Sequence, residues 1–454
     1  MKAFLSHLLK DIGTQYAEIR IEETDSTVIS LRGADLDDAN RSFERGGCLR
    51  VFHHGNWGVA TFNAFDNSLK GLVQDTAAQV ESLPARDAKL VPLGACEEQL
   101  EIRPDDDPRE VRMADKLELL RHYNQILLDT PGIATTNSSY ADALRSTAFY
   151  STEGRFVEQQ SVRTGFSCRA VARDGANIQE YGESFGKSLG IDSLRNREPL
   201  VERVAKTALD LLRAKPVEAG VYDVVIDPLL GGVFCHEAFG HLSEADHIAD
   251  NERLMELMEV GARFGSDELT IVDDATLPGE RGSYAFDDEG TASSRVELVR
   301  QGVLAGRLHD RETAMKLHEP ATGNGRAMSY RFPPIVRMSN TFIAPGKATL
   351  EEMLGSMKRG LYVCGSRGGM TELESFTFAS QYAWLVEKGR KTSMVRDVTL
   401  SGNVFETLRN ITAIGNDLVM YGGLGGCGKE GQGPLPVGLG APHLKVKGVV
   451  IGGR

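Results

Sequence analysis

Paired period-two runs joined by tight glycine turns constrain this chain most. RVELVRQGVLAGRLHD (295–310) and YAWLVEKGRKTSMVRDVTL (382–400) alternate on either side of Gly302 and Gly389, where a hairpin needs φ > 0. CLRVFHHGNWGVATF (48–62) does so around His54-Gly55-Asn56, and YAEIRIEE (16–23) and STVISLR (26–32) alternate in the same way. Helical spacing separates these runs, through Leu69, Leu72, Val73, Ala77 and Val80 in 65–82 and again in 111–129 and 197–213. The class is α+β.

A chain of 454 residues exceeds one ordinary core and implies two or three domains at roughly 150 residues each. Residues 1–105 read as a mixed, mostly antiparallel α+β unit. Residues 106–215 repeat that style as a central α+β unit, with strands in 131–141, 145–152 and 155–174, and the two units read as related layers of one lobe. Between them, 85–110 reads as a linker that includes the acidic IRPDDDPRE. Lys215-Pro216 closes the second unit and the buried strand VYDVVI (221–226) opens the third, 218–454. That glycine-rich region is expected to form a large antiparallel sheet or barrel with packed helices, and it holds every motif considered below.

A net charge of −13 repels phosphate backbones and anionic membranes, and no basic run offsets it, so neither nucleic acid nor a membrane is expected as a partner. No segment approaches the roughly 18 apolar residues of a membrane helix, and MKAFLSHLLKDIG is too short and polar for a signal peptide. Six scattered cysteines (48, 96, 168, 235, 364, 427) read as free thiols, which places the chain in the cytoplasm.

The stretch CHEAFGHLSEAD (235–246) has two histidines and an adjoining glutamate, as in the zinc signature H-E-x-x-H, but its histidines are five apart instead of four. An α-helix turns about 100° per residue, so an i,i+4 pair lies about 40° apart and an i,i+5 pair about 140°. His236 and His241 therefore share one ion only if the helix carries a π-type turn or ends there, and Gly240 tolerates either. Without a metal, they are hydrogen-bonded histidines of a buried helix. Glu237 is placed to take a proton from water, and Glu244 and Asp246 could orient a ring N–H. A catalytic zinc needs a third protein ligand. Cys427, His443, His247 and Glu244 have the right chemistry; Cys427 sits among glycines 422, 423, 425, 426 and 428, which would let backbone approach an ion, and its bland alternative is a small buried hydrophobe.

GLGGCGKE (423–430) also matches the phosphate-loop pattern G-x-x-x-x-G-K. Glu430 occupies the Mg²⁺-binding Ser/Thr position, and Pro434 and Pro436 fall where a helix should start, so a nucleotide hydrolase is disfavoured.

HEAFGH with HLSEAD, then DDEGT (287–291), TGNGRAMSY (322–330), RMSNTFI (337–343), SGNVFETLRNITAIGNDL (401–418) and CGKEGQGPLPVGLGAP (427–442), resemble the TldD branch of the TldD/PmbA metallopeptidases. YAEIRIEE and GGCLRVFHHGNWGVAT extend the likeness over nearly the whole chain. The resemblance implies Zn²⁺ bound by His236, His241 and Cys427, with Glu237 as general base. It also implies cleavage of unfolded or extended peptides by a homodimer or by a heterodimer with a PmbA/TldE-like paralogue. GSRGGMTELESFTF (365–378) departs from that pattern. Arg326 and Tyr330, with Asn324 in the same loop, are candidate substrate-binding residues. A peptide-binding or chaperone-like module with a structural zinc is the rival class; its metal would have four protein ligands.

Overall fold

In the computed structural model, which describes residues 1–101, 106–372 and 374–452, the alternating runs of the N-terminal half become long strands. They are β1 (Tyr16–Arg32), β2 (Asp35–His53), β3 (Asn56–Phe62), β4 (Cys96–Leu100), β5 (Ile133–Ser151), β6 (Arg155–Asp174) and β7 (Asn177–Lys187). YAEIRIEE and STVISLR belong to one strand, because the polar Thr24 and Asp25 between them stay paired with Arg145 and Leu144. All seven strands form a single sheet in the order β3-β2-β1-β5-β6-β4, with β7 also on β6. The first two units thus lie edge to edge in one sheet, not as two layers, and the β1–β5 ladder that joins them runs from Glu18↔Ser151 to Arg32↔Asn137. β4 falls within the expected linker and pairs parallel with the start of β6; residues 102–105 of that linker lie outside the described residues.

Strand periodicity assigns the two faces of this sheet. Ile19, Ile21, Leu49 and Val51 pack under α1 (Lys2–Leu8) and α2 (Ser68–Glu81). Ile29, Leu31, Tyr140 and Phe166 pack under α3 (Met113–Leu128) and α4 (Glu198–Arg213). The opposite face carries Glu18, Arg20, Glu22 and Arg145 and meets the C-terminal domain. There Arg20 and Arg145 pair with Asp288, and Arg50 bridges Glu18 and Glu289 at 2.9 and 2.8 Å. All of these carboxylates are almost fully buried.

The C-terminal domain contains a ten-stranded and a six-stranded sheet, both mixed but mainly antiparallel, and neither closes into a barrel among the described residues. Its hairpins follow the expected turn chemistry. Gln301-Gly302 and Lys388-Gly389 both have positive φ, as type I′ turns require, and so does His54-Gly55 in the first unit. Helix α5 (Pro228–Phe234) follows the strand Gly220–Ile226 and packs against both sheets, so its residues join those of each sheet in one core. Asp227 caps it by accepting the Leu230 N–H at 2.8 Å, and Pro228 occupies the first turn. Close packing explains two of its glycines. A Cβ at Gly232 would lie 2.7 Å from Leu439 Cδ1, and one at Gly231 would lie 2.9 Å from Ala441 Cβ. No helix among the described residues is long and apolar enough to cross a membrane.

Candidate metal centre

The helix begun by α5 widens at the signature. Cys235–Gly240 is a π-helix and His241–Ser243 a 3₁₀ turn, the altered geometry that a five-residue histidine spacing demands. Gly240 itself has ordinary right-handed dihedrals (φ −57°, ψ −51°). Its role is spatial: a Cβ there would lie 2.1 Å from Met338 Sδ.

Cys427 reaches the two imidazoles from the C-terminal hairpin Cys427–Lys429 and Gln432–Leu435, which turns at Glu430-Gly431 with both φ positive. One ligand atom from each of His236, His241 and Cys427 can be chosen so that all lie within 4.8 Å of one another, close enough to share an ion. The thiol is 3.3 Å from His241 Nε2, and the two rings meet edge-on with centroids 5.2 Å apart. His236 is buried, and its Nδ1 has no hydrogen-bond partner among the described residues. An orphaned ring nitrogen is costly to bury, and beside a second imidazole and a thiol the donor set fits zinc.

Electrostatics favour the same fit. Burial disfavours a Cys427 thiolate, but hydrogen bonds from His236 and His241 outweigh it and bring the thiol down to about 5. His241, despite burial, is pushed up to about 10 by Cys427 and Glu244. Its Nδ1 lies 3.0 Å from Glu244 Oε2, which turns Nε2 toward the sulfur. Glu244 is fully buried, yet His241 and Lys429 hold it down at about 2. Lys429 also bridges to Asp246 at 2.6 Å and donates to Val336 O at 2.9 Å, tying the cysteine hairpin to the histidine segment. Lys429 is therefore committed to carboxylates, and a hairpin, not a helix, follows it, so the phosphate-loop likeness has no structural counterpart.

Of the other third-ligand candidates, Glu244 is taken up by His241 Nδ1 and Lys429, and the two histidines stand elsewhere. His443 is held between Asp417 at 2.5 Å and the Tyr362 hydroxyl at 2.9 Å, and His247 is a half-exposed ring 3.9 Å from Glu244. Glu237 is partly exposed, with its carboxylate 3.8 Å from His241 Nε2.

The cluster opens on a cleft of about 980 Å³ between the N-terminal sheet and the C-terminal domain. Glu237, both histidines and Cys427 line one wall. Asn137, Ser139, Ser167, Arg169 and Glu183 from β5, β6 and β7 line the other, and Ser366, Arg367 and Gln381 flank it. These polar β-strand residues went unnoticed in the sequence. Their alternation was visible, but which face of the sheet would meet a second domain was not. Asn324, Arg326 and Tyr330, expected to bind substrate, are not brought to the cleft. Asn324 donates to Asp273 and Arg337 O, and Arg326 donates to Met338 O and, at 2.8 Å, to Pro436 O. Tyr330 is buried, its ring where a Gly46 Cβ would stand. The polar atoms of Asn324 and Arg326 are thus spent on loop packing.

Comparison with known proteins places the geometry in context. Residues 17–80, 106–215 and 219–453 match family models described as PmbA/TldA metallopeptidase domain 1, central domain and C-terminal domain. A metalloprotease of Synechocystis is 41% identical over 96% of this chain and 95% of its own length. The zinc metalloprotease TldD homolog of Saccharolobus solfataricus is 30% identical over 98% of each. Among solved structures, TldE from Thermococcus kodakarensis superposes with a TM-score of 0.80 over 99% of both chains at 18% identity. A putative modulator of a DNA gyrase from Thermotoga maritima gives 0.81 over 99% and 98% at 21%.

Proposed function

Given that this chain belongs to the PmbA/TldD family of metallopeptidases, we propose that it hydrolyses unfolded or extended peptides with a zinc ion held by His236, His241 and Cys427. The observation that carries the reading is the gathering of two imidazoles and a thiol on the wall of the cleft, with Glu237 beside them. Three ligands, the number the cluster offers among the described residues, suit a catalytic zinc; a structural one uses four.

Bound there, zinc supplies a Lewis acid that polarises the scissile carbonyl and acidifies the attacking water. Glu237 accepts the water's proton on its carboxylate and returns it to the departing amine. Glu244 keeps His241 in one tautomer and orientation by accepting its Nδ1–H, and Lys429 keeps Glu244 ionised. Substrate lies extended, pairing its main chain with an edge strand; Gly369–Glu372, at one edge of the ten-stranded sheet, borders the π segment. Such binding admits unfolded chains and excludes folded ones. The enzyme works as a dimer with itself or with a second subunit of the same fold, in keeping with the likeness to TldE. Six free cysteines suit the cytoplasm.

The test is Glu237→Gln against an unstructured peptide. Hydrolysis is expected to fall by at least 10²-fold while zinc content stays at the parent level. Activity close to the parent would remove Glu237 from the mechanism. Cys427→Ala is expected to lose both zinc and activity; full zinc in that variant would remove the thiol from the ligand set.

A further inference from the structure

Cys427 lies on a segment with little of its own to hold it still. Seven of the twelve residues from Gly422 to Gly433 are glycine, and a Cβ added at Gly425, Gly428 or Gly431 would meet nothing within 4 Å. Glycine maximises backbone freedom, so a ligand carried here needs anchoring from outside. Lys429 provides one anchor, through Glu244 and Asp246. The Gln432 side chain provides another, accepting from Met328 N at 3.1 Å and donating to Pro333 O at 3.0 Å.

A third anchor acts on the ligand residue itself. Arg337 is fully buried and forms no ion pair among the described residues. Its Nη2 donates to Cys427 O at 2.6 Å and its Nη1 to Gln432 O at 3.1 Å, so one planar guanidinium grips both strands of the hairpin. Arg337 is itself fixed. Its N–H donates to Asn324 O at 2.9 Å, and its carbonyl accepts from the Asn324 amide at 3.0 Å. A guanidinium buried without a counter-charge is expensive, and among the described residues the only acceptors it meets are these two carbonyls. With the Cys427 carbonyl gripped on one side, its thiol is presented to His241 on the other at 3.3 Å.

We propose that Arg337 is the positioning residue of the metal centre, clasping the glycine-rich hairpin so that the Cys427 sulfur is preset against His236 and His241. The inference rests on the proposed metal centre. Lysine keeps the charge but is a single point donor that cannot bridge two carbonyls, so Arg337→Lys isolates the clasp from the charge.

The experiment loads the metal-free full-length chain with Co²⁺, whose thiolate charge-transfer absorption reports the sulfur bond, and measures Co²⁺ and Zn²⁺ affinity by competition with a chelator. In Arg337→Lys the thiolate band is expected to weaken and affinity to fall about 10–100-fold, as for other outer contacts of a metal site. In a Cys427→Ala background, whatever weak Co²⁺ affinity the two imidazoles retain is expected to change less than threefold on the same substitution, because the clasp acts through the sulfur. Parent protein without any thiolate–cobalt band would overturn the metal centre and this inference with it. A parent-like band and affinity in a folded Arg337→Lys protein would overturn the inference alone. Circular dichroism checks the fold, and if the lysine variant is unfolded Arg337→Gln takes its place; if neither folds, Arg337 is a general folding residue and the positioning role is wrong.

Discussion

Gly240→Ala tests the packing that holds the signature in its π geometry. Because Gly240 is right-handed, alanine meets no dihedral penalty, and relief of glycine's helix cost favours it by up to about 1 kcal/mol. Space opposes the change. The new methyl would stand 2.1 Å from Met338 Sδ and 3.3 Å from its Cε, against a comfortable separation of roughly 3.5–4.0 Å. Met338 is buried, its N–H is on Glu244 at 3.2 Å and its carbonyl accepts from Arg326, so its backbone cannot retreat. Overpacking costs about 1–3 kcal/mol, and a 2.1 Å approach belongs in its upper part, about 2–3 kcal/mol, so that after about 1 kcal/mol of relief a net loss of roughly 1–2 kcal/mol remains. Urea denaturation of the parent, Gly240→Ala, Met338→Ala and the double variant forms a thermodynamic cycle. The alanine penalty should vanish once Met338 is truncated, since the methyl then fills the space released. An equal penalty in both backgrounds, or none in the parent, would refute the steric account of this glycine.

Further outcomes concern the interface between the domains and the acid groups near it. Glu289→Gln removes one of two carboxylates from buried Arg50 and weakens the acceptor of Arg311 N–H at 2.9 Å; chemical denaturation should show a loss of up to about 3 kcal/mol. Asp310 caps the helix Arg311–Leu317 by accepting Thr313 N–H at 2.8 Å, and burial, with the nearby Glu289 charge, pushes its carboxyl up to about 7. A raised folded value means that its contribution is fully present below the usual carboxylate range and is lost as pH rises through about 7. Asp310→Asn keeps a good cap while removing the titration, so the variant should gain stability over the parent between pH 5 and 8. A pH-independent difference in denaturation midpoint would contradict this. Gly232→Ala should cost about 1–3 kcal/mol by forcing α5 from Leu439 and the Gly440 backbone N, 3.0 Å from the added Cβ, and a neutral result would show that the helix can shift freely.

How much the sequence disclosed differs by residue. The histidine spacing forced a choice between a widened turn and no shared ion, so the π segment could be anticipated. Cys427 could not be selected by chemistry alone, because His443, His247 and Glu244 offered equivalent donors; only the fold brings its sulfur to His241 from 186 positions away. Asn324 and Arg326 of TGNGRAMSY are candidate substrate-binding residues by sequence, yet their polar groups satisfy buried backbone and carboxylate partners, a demand invisible without coordinates. Arg337 was hidden for the same reason, as its acceptors are carbonyls, which sequence does not distinguish. Hairpin turns were legible through their glycines. β4 was not, since Cys96–Leu100 is mostly exposed and lacks a clear apolar alternation.

Zinc-edge X-ray absorption on the purified chain tests the central claim most directly. One zinc per chain with a single sulfur at about 2.3 Å and two imidazole nitrogens at about 2.0–2.1 Å is expected, with the sulfur contribution absent in any zinc retained by Cys427→Ser. A sulfur-free spectrum in the parent protein, or one unchanged in Cys427→Ser, would contradict the shared coordination of His236, His241 and Cys427.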